Sequence, residues 1–299
     1  MQLESTGATT HQPAGEYRSS LMNRGSPKPN RVAPPGAETL RLYEQQAAVI
    51  SAIADLRALK PNAGAIDRAT DISPETFLSR YYAANEPILL EGFVRNWPAI
   101  KKWSPGYFAE QFGDVELDVY RDGHRRSMRI RDFVDVMQRQ PEAGEPYLVA
   151  QYRPLPQSEL AALSQDLRFD SAFFDAGDDQ AVFGLWMGPA NTLTPLHYDQ
   201  KNVLLAQLYG RKRVKLISPL ATDRLYCRKR GYSEVDPDKP DFNRFPLFER
   251  VTVSTIELEA GDALFLPFGW WHHVRSLSPS ISLSLNNFIW PNSFAAEKL

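Results

Sequence analysis

From residue 181 onward the chain breaks into short apolar runs separated by turn residues, and this pattern restricts its fold more than any other feature. The runs 181–187, 203–209, 214–217, 251–258, 263–267 and 281–289 have strand length and strand composition, with Gly188-Pro189, Gly210-Arg211 and Gly261-Asp262 between them. Many short strands between tight turns define a sandwich or barrel. The expected architecture is mainly β with flanking α: a double-sheet barrel over about 181–290, with helices of an α-rich N-terminal half packed around it. The polar stretch 221–250, with its Pro, Asp and Arg residues, interrupts the strands and is expected to form a long loop over one end.

The N-terminal half reads differently. Residues 1–37 are rich in Ser, Thr, Gly, Pro and Arg and poor in large aliphatics, so a disordered tail is expected, with no role for His11. A helix follows over 38–59, with Leu42, Val49, Ile53 and Leu56 on one face that needs a partner surface. The rest of 38–70 is a linker. Ser73-Pro74 and Ser104-Pro105 are helix starts, a capping serine followed by proline at the first helical position. Strands are expected at 87–90, 115–121 and 147–152, and helices at 131–139 and 157–165. The folded domain is placed at 71–293, with a short tail at 294–299.

Composition excludes several classes. A chain of 299 residues forms one large domain or two small ones. Its 34 basic and 36 acidic residues leave no global charge to attract nucleic acid or a membrane. The single Cys227 rules out an internal disulfide framework and any cysteine-based zinc cluster. No apolar run approaches the roughly 20 residues of a membrane span. No secretory leader is seen, and the default expectation is a cytoplasmic protein. The basic run 224–230 is expected to be a solvated loop.

The chemistry concentrates in Thr194-Pro195-Leu196-His197-Tyr198-Asp199. On a strand, residues two apart share a face, so His197 and Asp199 project together. With one more histidine they would form the 2-His-1-carboxylate triad of non-haem Fe(II) sites. Only five histidines exist, and His124 sits among like charges in an expected solvated loop. The third ligand is therefore expected from His272 or His273, adjacent residues of which a strand turns only one inward. Lys212 shares parity with Val214 and Leu216, the inward positions of its strand, while Arg213 and Lys215 are expected to face water. A buried lysine is costly unless paired, and the carboxylate of a ligand is a natural partner.

The segments TPLHYDQKNVLLAQLYGRKRVKLISP and GDALFLPFGWWHHVRSLSPSISLSLNNF resemble the two core motifs of the cupin-like jumonji-C family of Fe(II)- and 2-oxoglutarate-dependent oxygenases. The resemblance covers about residues 70–293 and implies a double-stranded β-helix of jelly-roll or cupin type. It implies His197, Asp199 and His272 as iron ligands and catalytic centre, with His273 a neighbour. It assigns Lys212 to the distal carboxylate of 2-oxoglutarate, with Thr194, Asn287 and Tyr147 as further cosubstrate contacts. Where the family often has asparagine this chain has Val203; either a small local shift lets Asn202, one residue earlier, serve in its place, or that contact is absent.

The implied activity is hydroxylation of a protein or peptide side chain, consuming O₂ and 2-oxoglutarate and releasing succinate and CO₂. Demethylation of histones, by family association, ranks below it, and an inactive jumonji-like binding module is the alternative from a different class. A cupin enzyme without cosubstrate is disfavoured by inward Lys212. No nucleic-acid or membrane partner is expected, and any homodimer would use the helix at 38–59.

Overall fold

A computed structural model describes residues 36–121, 124–139, 147–150, 159–175, 184–227 and 231–292. Residues 1–35 of the expected tail and the C-terminal residues 293–299 lie outside these. The chain divides into two compact units, 1–46 and 47–299, and both sheets belong to the second.

The two sheets face each other. The smaller has the order β10 (Ser254–Leu258), β9 (Lys212–Ile217), β12 (Trp271–Ser276), β7 (Leu193–Tyr198), all antiparallel. The larger has nine strands, β1 (Asp67–Ala69), β2 (Ile88–Leu90), β11 (Ala263–Leu266), β8 (Val203–Tyr209), β13 (Ser280–Leu285), β6 (Gly184–Gly188), β5 (Tyr147–Ala150), β3 (Glu116–Arg121) and β4 (His124–Arg129), in that order. Every pair is antiparallel except β1–β2. Residues paired across strands share a face, which sorts the apolar residues into three cores. Val203, Leu205, Leu264 and Leu266 of the larger sheet meet Val214, Leu216, Ile256 and Leu258 of the smaller inside the barrel. The opposite face of the larger sheet packs on the N-terminal helices through Phe77, Phe108, Phe133, Val134, Met137 and Phe265. The outer face of the smaller sheet carries the third core, beneath the stretch 221–250.

The helix starts follow their capping chemistry. Ser73 Oγ accepts from Thr76 N, and Ser104 Oγ accepts from Tyr107 N at the start of the helix Pro105–Phe112. The helix that starts at Ser73-Pro74 changes character after one turn. It ends at Phe77 and widens to a π-turn over Leu78–Tyr82, which buries Tyr81 and Tyr82 together. The helix Ile130–Gln138 buries Ile130, Phe133, Val134 and Met137 on one side, and 161–166 forms a 3₁₀ helix.

Three expectations are corrected. The linker contains a strand: Asp67–Ala69 pairs in parallel with Ile88–Leu90 at the sheet edge. His124 lies on a strand and not in a loop, opposite Arg121 in the β3–β4 hairpin. That strand, HRRSMR, has no apolar alternation to reveal it; it is an edge strand, where charge is tolerated because it discourages further pairing. Arg224 of the basic run is buried, not solvated. Its guanidinium bonds Asp55 Oδ1 at 2.7 Å and Ser51 Oγ at 2.6 Å. This clamp holds the second half of the helix α1 (Ala37–Ala58) by a polar face, with Arg250 also bonded to Asp55. The expected apolar stripe is not packed inward: Val49, Ile53 and Leu56 are exposed.

The polar stretch 221–250 is a cover rather than an open loop. Two 3₁₀ turns, Pro219–Arg224 and Pro246–Arg250, bracket it. Ala221, Leu225, Val235, Phe245 and Phe248 pack on Leu196, Ile217 and Trp271 of the smaller sheet's outer face. Lys215 therefore faces outward but not into water. It bonds Asp238 Oδ1 and the Pro237 carbonyl under this cover.

Candidate active site

His197 and His272 are directly paired across β7 and β12, so both imidazoles project from the inner face of the smaller sheet. Their ring centroids are 4.1 Å apart. His272 Nε2 lies 3.7 Å from Asp199 Oδ2, and one ligand atom from each of the three lies within 4.8 Å of the others. Two main-chain carbonyls set the tautomers. His197 Nδ1 is 2.8 Å from the Pro195 carbonyl and His272 Nδ1 is 3.0 Å from that of Trp270. A carbonyl only accepts, so each Nδ1 carries the proton and each Nε2 keeps its lone pair for a ligand. Burial, then the neighbouring His272, push the His197 pKa down to about 4, so the imidazole is neutral and ready to coordinate at neutral pH. Asp199 stays accessible, and its main-chain carbonyl accepts from Gly269 N at 3.0 Å, tying the end of β7 to the turn before β12.

His273, the alternative ligand, points to the other side. It is buried beneath the cover, its Nε2 3.5 Å from Asp236 Oδ1. Asp236, Asp238 and His273 form a second group with ligand-type spacing. Asp238 is already held by Lys215 and by Arg275 at 2.6 Å, and those two positive charges oppose a cation there.

Lys212 is paired with Ser276 of β12 and Leu258 of β10, so it faces into the barrel with His272, two pairs further along. It is 2% exposed. Burial alone lowers its pKa to about 7, and no hydrogen bond or ion pair to it is found among the described residues. The facing wall of the larger sheet is polar and small: Ser282 Oγ donates to Gln207 Oε1, and Trp186 Nε1 to Ser284 Oγ. Gly184 lies beside them, where a Cβ would collide with the Ser284 hydroxyl. A buried lysine with no countercharge among the described residues fits an anionic ligand.

Thr194 reaches the inner face through an irregularity. Between His272/His197 and Val274/Thr194 the pairing advances two residues on β12 but three on β7. Strict alternation from His197 would turn Pro195 inward; the extra residue turns Thr194 inward instead. Asn202 is placed elsewhere. Its Oδ1 accepts from Phe268 N, while its main chain exchanges bonds with the Asn292 side chain. That oxygen braces the turn before β8 and is not offered to a ligand. Asn287 Nδ2 donates to the Asp175 carbonyl, and its buried Oδ1 has no partner among the described residues. The backbone of Tyr147 pairs with Tyr120 on β3; its side chain lies outside the described part. Reading by motif missed Tyr232, whose ring stacks on His197 at 5.2 Å, and the Trp186–Ser284 wall. The parity of Ser282 and Ser284 was the available signal for the wall; nothing in the sequence marked Tyr232.

Fold and site together define a cupin of the jumonji-C type. A family profile described as a cupin-like domain matches residues 74–295, and the chain belongs to that family. It is 33% identical over 225 residues to a lysine-specific demethylase 8 of Xenopus tropicalis, 71% of this chain and 50% of that protein. It is 30% identical over 240 residues to the lysine-specific demethylase JMJ30 of Arabidopsis thaliana, covering 76% of this chain and 55% of that one. With the human tRNA wybutosine-synthesizing protein 5 it shares 27% over 251 residues, 75% and 77% of the two chains. The chain thus spans about half the length of the demethylases it matches. The family's cofactors are Fe(II) and 2-oxoglutarate, and two imidazoles, a carboxylate and a buried lysine with no partner among the described residues suit both.

Proposed function

We propose that the protein is an Fe(II)- and 2-oxoglutarate-dependent oxygenase acting on a side chain of a protein, with an N-methyl-lysine as target. The observation that carries the oxygenase reading is Lys212, buried with no countercharge among the described residues, on the same inner face as His197 and His272. A protein evolving only a metal site has no need of that lysine. His197, Asp199 and His272 would hold iron, leaving coordination positions open for ligands. Lys212 would pair with the far carboxylate of 2-oxoglutarate, with the Thr194 hydroxyl beside it. Bound there, iron and 2-oxoglutarate supply oxidation of a C–H bond by O₂, with succinate and CO₂ as coproducts. The chain's own part is positioning. The carbonyls of Pro195 and Trp270 fix the imidazoles, and the apolar core of the barrel excludes water from one side.

The names of the relatives reverse the order in which sequence ranked hydroxylation and demethylation. The two differ only in what the oxidised carbon is attached to. A hydroxylated N-methyl carbon breaks down to formaldehyde and a free amine; a hydroxylated side-chain carbon remains as a stable product. Net charge near zero and a wall of aliphatics and hydroxyls favour a protein over a nucleic acid. The test is incubation with Fe(II), 2-oxoglutarate and peptides carrying N-methyl-lysine. Formaldehyde matched one-to-one by succinate supports demethylation. A product heavier by one oxygen, without formaldehyde, replaces it with hydroxylation. Succinate from neither substrate class removes the oxygenase reading.

A further inference from the structure

We propose that Tyr232 is the substrate-contacting wall of the site's mouth and selects which side chains reach the metal position; this rests on the oxygenase reading. β7 is an edge strand of the smaller sheet. The segment 231–233 adds to that edge, with Tyr198 N donating to the Gly231 carbonyl and Ser233 N to that of Leu196. In this pairing Tyr232 stands opposite His197. Paired residues share a face, so the tyrosine comes down on the ligand side of β7, while Leu196 and Tyr198 pack under the cover on the other side.

The ring lies nearly parallel to the His197 imidazole, 15° between planes and 5.2 Å between centroids. One face is thereby used, and the residue is still 44% exposed. Its backbone is fixed from both ends. Gly231 adopts φ +75°, and a Cβ there would meet the Tyr198 ring at 3.1 Å, so glycine permits the close approach. Ser233 Oγ donates to the Leu225 carbonyl and accepts from Val235 N. A tyrosine locked by its backbone, packed on one face and open on the other, is a pre-organised contact surface. Few torsions remain to be ordered when something lies against it.

Its neighbours define what it would accept. Asp199 is accessible beside it. Its hydroxyl can act as donor and acceptor. The free ring face is negative at its centre, which favours an aliphatic chain or an alkylammonium over a carboxylate. The chemical class selected is an alkyl or cationic side chain entering alongside the ring toward the three ligands.

The test compares wild-type protein with Tyr232→Ala and Tyr232→Phe, each loaded with Fe(II) and 2-oxoglutarate. A proteolytic digest of cell extract serves as the probe, and oxidised or demethylated peptides are read by mass. Tyr232→Ala is expected to keep 2-oxoglutarate affinity within about threefold and to raise KM for the modified peptides by about tenfold. Tyr232→Phe is expected to restore most of that. An unchanged KM in Tyr232→Ala overturns the inference. So does a parallel loss of 2-oxoglutarate affinity, which would make the ring a brace for His197. The wild-type arm separates the two levels: if it modifies no peptide, the oxygenase reading falls and takes this inference with it.

Discussion

His272 and Lys212 lie on adjacent strands of one sheet and face the same interior, His272 paired with Leu216 and Lys212 with Ser276. One strand pair thus carries a candidate ligand nitrogen at one end and, at the other, a lysine with no partner among the described residues, with Val214 and Val274 between. The spacing along the strands sets the length of molecule that would touch both.

Lys212→Met should separate stability from binding. Burial lowers the lysine pKa from 10.5 to about 7. Between those values the unfolded chain holds a proton that the folded chain has lost. Stability contributed by this group therefore rises with pH from about 7 to 10.5 and is flat below. The methionine variant, free of this charge, should melt higher than wild type without ligand, most clearly at pH 7 and below. The gap should close as pH rises. The same variant should lose 2-oxoglutarate affinity by at least about a hundredfold, as expected when a buried charge-assisted pair is removed. Melting curves against pH and calorimetry check both halves.

Thr194→Val keeps shape and removes the hydroxyl. If the shift in pairing turns Thr194 toward the ligand, affinity for 2-oxoglutarate should fall by roughly three- to tenfold, about one hydrogen bond, with melting temperature unchanged. Calorimetry of the metal-loaded protein measures it.

Much of the fold and site was legible in the sequence. The strands from Val203 onward alternate or run apolar because both faces are buried, and the inward parity of Lys212 follows from Val214 and Leu216. His272 over His273 followed from strand alternation and the motif together. Thr194 was reached only by resemblance, because a one-residue irregularity inverts parity and leaves no compositional trace. The two alternatives at Asn202 stayed open because spacing from His197 says nothing of Phe268 and Asn292, which arrive from distant sequence and bond it. The apolar stripe of α1 was expected to need a partner surface, on the domain or on a second copy, and amphipathicity does not say which face docks on the domain; Arg224 takes the polar face.

The cover over the smaller sheet depends on Trp271. Its indole is fully buried and donates to Thr222 Oγ1 at 2.9 Å. Trp271→Ala should cost about 3–5 kcal/mol in chemical denaturation, while Trp271→Phe, which loses mainly the hydrogen bond, should cost about 1–2 kcal/mol. Exchange protection should fall first in 219–227 and 231–251.

The α1 clamp is asymmetric. Asp55→Ala leaves the Arg224 guanidinium buried without its carboxylate, whereas Arg224→Met leaves only an accessible aspartate. Asp55→Ala should be the more destabilising of the two. Both should raise amide exchange in 47–58 with little change in 2-oxoglutarate affinity. Hydrogen-exchange mass spectrometry distinguishes them from global unfolding.

Anaerobic titration of the metal-free protein with Fe(II), followed by 2-oxoglutarate, tests most directly what His197, Asp199 and His272 hold. One iron per chain should bind, and 2-oxoglutarate should bind tightly only once iron is present. Asp199→Ala and His272→Ala should each abolish both while keeping the wild-type far-UV spectrum. Folded wild-type protein that takes up no iron, or takes it up equally well in the Asp199→Ala and His272→Ala variants, would contradict the assignment.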